Sequence, residues 1–108
     1  MKLSCTNTMV PGKSLTAQAE NLKRWGYDGI AVFIDYELWN EQLYEEIRNL
    51  QNRTGIVPCE FAFSDEIYGH LMDEDPQLRK ASREMYKKAA EVCGEIGAVT
   101  ELEFAYGP

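Results

Sequence analysis

The sequence predicts an α/β fold, a four-stranded parallel (β/α) half-barrel equivalent to strands one to four of an eight-stranded barrel. Strand-like and helix-like segments alternate along all 108 residues, the order that parallel strands with crossover helices require. Three times a helical stripe runs into a glycine and then a β-rich run, at Trp25-Gly26, Thr54-Gly55 and Ile96-Gly97. The sequence stops at Ala105-Tyr106-Gly107-Pro108, directly after the fourth strand. A complete barrel takes about 250 residues, so four units amount to half of one.

The first strand is expected over residues 2–7, before a Pro11-Gly12 turn. Ser14 can cap the first helix, whose Leu15, Ala19, Leu22 and Trp25 recur at helical spacing. Gly26 can take the positive φ that ends it. Ile30-Ala31-Val32-Phe33-Ile34 is β-branched and aromatic, and forms the second strand. Trp39, Leu43, Ile47 and Leu50 mark a second helix that stops near Thr54-Gly55. The third strand covers residues 57–63; Pro58 lacks a ladder donor, so the strand should start late or lie at an edge there. Asp75 as N-cap and Pro76 at the first helical position open the longest helix. Its stripe is Leu78, Ala81, Met85, Ala89, Val92 and Ile96, with Gly97 closing it before a fourth strand over residues 99–104.

Strand side chains alternate between faces, so each strand predicts which residues meet the helices. Ile30, Val32 and Ile34 oppose Ala31, Phe33 and Asp35; Leu3 and Cys5 oppose Ser4 and Thr6. Val57, Cys59, Phe61 and Phe63 are expected on the apolar face, opposite Pro58, Glu60, Ala62 and Ser64. In the fourth strand Thr100, Leu102, Phe104 and Tyr106 oppose Val99, Glu101, Glu103 and Ala105. A doubly wound sheet would be apolar on both faces. The polar second face fits a lumen holding a polar ligand, or a concave sheet partly open to water. Glu60 and Glu103 are candidate catalytic carboxylates on that face, although glutamates on edge strands also guard against edge pairing.

A net charge of −7 argues against a nucleic-acid surface, which needs clustered Lys and Arg. No apolar run approaches a membrane span of roughly 18 residues, and no signal-peptide pattern opens the chain. Cys5, Cys59 and Cys93 are odd in number and widely spaced, which favours packing cysteines and a reducing cytoplasm. His70 is the single histidine; it is either a general acid/base near neutral pH or a solvated loop residue. The acidic loop around it does not have the ligand spacing of an EF-hand.

Gly26-Tyr27-Asp28-Gly29-Ile30, the helix start Asp75-Pro76-Gln77-Leu78-Arg79, and the helix end Ala89-Ala90-Glu91-Val92-Cys93-Gly94-Glu95-Ile96-Gly97-Ala98 together resemble one family. It is the xylose isomerase-like TIM-barrel family, and the resemblance is to its N-terminal half. Members include sugar phosphate isomerases and epimerases, hydroxypyruvate isomerases, inosose dehydratases and endonuclease IV-type enzymes. The resemblance implies isomerisation or epimerisation of a small sugar or sugar phosphate, assisted by a divalent metal (Mn, Mg or Zn). Family metal ligands come from strands five to eight, so no metal ligand is assigned here and this half is expected to be inactive alone. The family's acidic residue near the start of strand two falls on Ala31, and Ser64 and Tyr106 stand where a histidine is common.

Sites in such barrels lie at the C-terminal ends of the strands. The substrate contacts expected from this half are therefore Asn7, Phe33, Asp35, Trp39, Ser64 and Tyr106, with Phe33 and Trp39 as an apolar wall. Two further readings stay open. One is a non-catalytic half-barrel that self-associates as a homo-oligomer or pairs with another chain, because two parallel edges are left unpaired, where the enzyme reading has instead a missing C-terminal half. The other is an endonuclease-like repair module, which the acidic balance disfavours.

Overall fold

Ser14, Asn40 and Asp75 each turn a side-chain oxygen onto a backbone N–H two or three residues ahead, and each starts a helix. The helices are α1 (Leu15–Arg24), α2 (Glu41–Thr54) and α3 (Pro76–Ile96). Gly55 and Gly97 close α2 and α3 in the left-handed conformation. The structure is a computed structural model and describes residues 1–35, 40–64, 67 and 70–100. None of its described helices is long and apolar enough to cross a membrane.

The strands are β1 (Ser4–Thr6), β2 (Gly29–Ile34), β3 (Val57–Phe63) and β4 (Val99–Thr100). They form one sheet in the order β1-β2-β3-β4, with every pairing parallel. Consecutive parallel neighbours joined by right-handed crossovers receive their helices on the same side. One core results. Ile30, Val32, Ile34 and Phe61 are buried against Leu22 of α1, Ile47 and Leu50 of α2, and Val92 of α3. Burying each such side chain stabilises the fold by about 1.5–3 kcal/mol.

Three expectations need correction. β1 ends at Thr6, because the chain enters a 3-10 turn at Asn7–Met9. Second, Val57 and Cys59 lie with Ser4 and Gly29 on the open face, whereas Pro58 is buried on the helical face. A β-bulge causes this: Ile30 pairs with Pro58 but Ala31 pairs with Glu60, so Cys59 is an extra residue and the alternation resets. Phe61 and Phe63 therefore meet the helices and Glu60 faces away, as the alternation of that stretch requires. Pro58 is as expected: β3 pairs with β4 only from Glu60 onward, so among the described residues Pro58 lies at a local edge, where no ladder donor is needed. Third, the α3 stripe is rotated: Ser82 and Cys93 are buried, while Leu78 and Ala81 are half-buried. Residues 82, 85, 89, 92 and 93 have true helical spacing; Ser82 is hidden in a hydrophobicity pattern only because it is polar.

Candidate functional site

A cleft of about 440 Å³ opens between the first turns of α1 and α2, beside the C-terminal ends of β1 and β2. Its frame is a set of side-chain to backbone bonds. Asn7 Oδ1 accepts the Phe33 N–H at 2.8 Å, tying the end of β1 to β2. Gln18 Nε2 donates to the Asn7 and Val10 carbonyls, both at 3.1 Å, which holds the loop after β1 against α1. Gly12 makes that approach possible: a Cβ there would stand 2.8 Å from the Gln18 backbone nitrogen. Across the cleft, Glu46 Oε1 of α2 accepts the Thr16 N–H at 2.7 Å and the Thr16 hydroxyl at 2.9 Å.

The cleft has two kinds of wall. Leu15, Val32, Phe33 and Leu43 make one side apolar. Lys13, Gln18, Asn40, Gln42 and Glu46 make the other polar. Three of those five are amides: Gln18, its Nε2 given to the Asn7 and Val10 carbonyls, keeps Oε1 as an acceptor, Asn40 keeps Nδ2 as a donor, and Gln42 offers both. Such a surface suits a small molecule with several hydroxyls on one face and C–H groups on the other.

Of the residues expected to contact substrate, the cleft brings together Asn7 and Phe33. Asp35, half-buried, follows β2, and Ser64, whose Oγ is buried without a hydrogen-bond partner among the described residues, follows β3; neither lines the cleft. Trp39, Tyr106 and Glu103 lie outside the described residues. Glu60 is mid-strand, opposite Ala31 and Val99, half-buried on the open face. His70 stands in the 3-10 turn before α3, with Nδ1 3.1 Å from Asp73 Oδ2. Glu60 and His70 are thus apart from the cleft. Lys13, Gln18, Asn40, Gln42 and Glu46 were not singled out by sequence; the Asn40 cap ahead of an apolar stripe was the one local signal.

Among the described residues, no group of three or more His, Cys, Asp and Glu side chains is placed to hold a metal ion. The divalent metal implied by the family resemblance therefore finds no fitting donor set in them. A second groove of about 370 Å³ lies at the N-terminal ends of the strands, around Leu3, Gly29, Val57 and Cys59. No family model, curated protein or solved structure matches the chain.

Proposed function

We propose that this chain supplies the first four β/α units of a sugar isomerase- or epimerase-type barrel, and that its cleft binds a small sugar or sugar phosphate. The observation that carries the reading is the pairing of amide side chains with an apolar wall at the C-terminal ends of parallel strands, where β/α enzymes hold their substrates. Gln18, Asn40 and Gln42 would bond hydroxyls, while Phe33 and Leu43 would pack on the C–H face. The part of the described residues in this reading is binding and orientation, with no chemical step assigned to them. Glu60 and His70 take no role in it.

Titrating an aldopentose into labelled protein tests the proposal. Backbone amide shifts should concentrate at Lys13, Gln42 and Leu43, with none at Val57 or Cys59 of the opposite groove. Replacing Gln42 by Ala should weaken binding by about tenfold, the loss of one good hydrogen-bonding group. Shifts absent at millimolar sugar, or confined to the opposite groove, would reject the assignment. A second reading, association of the half-barrel through its open face, is favoured by the exposure of Val99, which lies beside Glu60 in the outer strand β4.

A further inference from the structure

The first-turn N–H groups of a helix lack intrahelical acceptors and attract anions. In α1 two of them are already occupied from within the protein. Ser14 Oγ accepts the Ala17 N–H at 3.1 Å, and Glu46 Oε1 accepts both the Thr16 N–H and the Thr16 hydroxyl. Glu46 is half-buried, comes from the neighbouring helix, and lines the cleft. At the start of α2, Asn40 Oδ1 takes the Leu43 N–H at 2.8 Å, and the first-turn Glu41 carboxylate pairs with Lys88 of α3 at 3.3 Å.

We propose that Glu46 is a specificity-determining residue: a built-in anion that closes the start of α1 and restricts the cleft to uncharged polyhydroxy compounds. The inference rests on reading the cleft as a sugar site and narrows it to unphosphorylated sugars. A phosphate or carboxylate group entering between α1 and α2 would meet the Glu46 charge, and would have to displace it from Thr16 to reach the helix. Lys13 is the one cationic side chain lining the cleft among the described residues, and it is exposed, so solvent screens what it offers an anion. A neutral sugar meets no such opposition. The second oxygen of Glu46 has no hydrogen-bond donor among the described residues, and a sugar hydroxyl can supply one without bringing a like charge beside the carboxylate.

The test compares the wild type with Glu46→Gln, which keeps an oxygen for Thr16 and removes the charge. Each protein is titrated separately with inorganic phosphate and with xylose, following backbone amide shifts. In the wild type, phosphate should leave Leu15, Thr16 and Gln42 unmoved; in Glu46→Gln the same amides should respond, with affinity at least about tenfold higher. Xylose should bind the wild type several-fold more tightly than the variant. Phosphate binding equally to both proteins at these amides, or to neither, would overturn the role given to Glu46 while leaving the sugar site standing. The phosphate contrast without xylose binding to either protein would have the reverse meaning: Glu46 closes α1, and the sugar assignment is wrong.

Discussion

Ser82 is fully buried on α3 and its hydroxyl has no hydrogen-bond partner among the described residues. An unsatisfied buried hydroxyl costs about 1–3 kcal/mol. Ser82→Ala should therefore raise the unfolding free energy by about 1 kcal/mol in urea titrations; a loss of stability would mean that the hydroxyl is satisfied after all. The three cysteines separate in the same way, by environment. Cys93 is buried and burial pushes its thiol up, whereas Cys5 and Cys59 are half-buried and all three are free. An aromatic disulfide reagent should label Cys5 and Cys59 in the native protein and Cys93 only after unfolding. Equal rates for all three would contradict the packing of α3 on the sheet. The free thiols agree with the odd, widely spaced cysteines of the sequence. Which thiol is shielded depends on neighbours far along the chain.

At the level of elements, the entry to α3 is stitched through Asp73. Its Oδ1 accepts the Asp75 N–H at 2.8 Å, and Arg79 Nη1 donates to the Asp73 and Glu74 carbonyls at 2.6 and 3.0 Å. The Asp75 N–H, and after it His70, hold the Asp73 carboxyl below its ordinary value. A hydrogen bond from Arg48 does the same for Glu95, linking α2 to α3. A carboxyl depressed in the folded state contributes stability in full above its unfolded pKa, about 4, and loses it as pH falls through the folded value. The melting temperature should therefore drop between pH 5 and pH 2, and Asp73→Asn should make that drop smaller; an identical drop would show that the Asp73 contacts contribute nothing. Caps such as Ser14 and Asp75-Pro76 were legible because they act within three residues. The early end of β1 was not, because Gln18 holds the Asn7 and Val10 carbonyls from 11 and 8 residues away.

At the level of the whole molecule, the described sheet has its helices on one face and β1 and β4 at its edges. Leu3, just before β1, is 48% exposed and Val99 of β4 is 62% exposed, so apolar side chains lie at both edges of the described sheet. Light scattering over a wide concentration range should detect association, and Val99→Lys should weaken it. A mass that stays monomeric throughout would leave pairing with a different chain as the way to cover this face. The order of apolar and polar residues by itself determined the helices, the parallel strands and the sides that Ile30, Val32 and Ile34 present, because periodicity and caps are local physics. Only the tertiary structure decided that Cys59 is a bulge, that Ser82 is core, and that Glu46 reaches Thr16. Each of those depends on which distant backbone group lies opposite, and no short stretch of sequence encodes that.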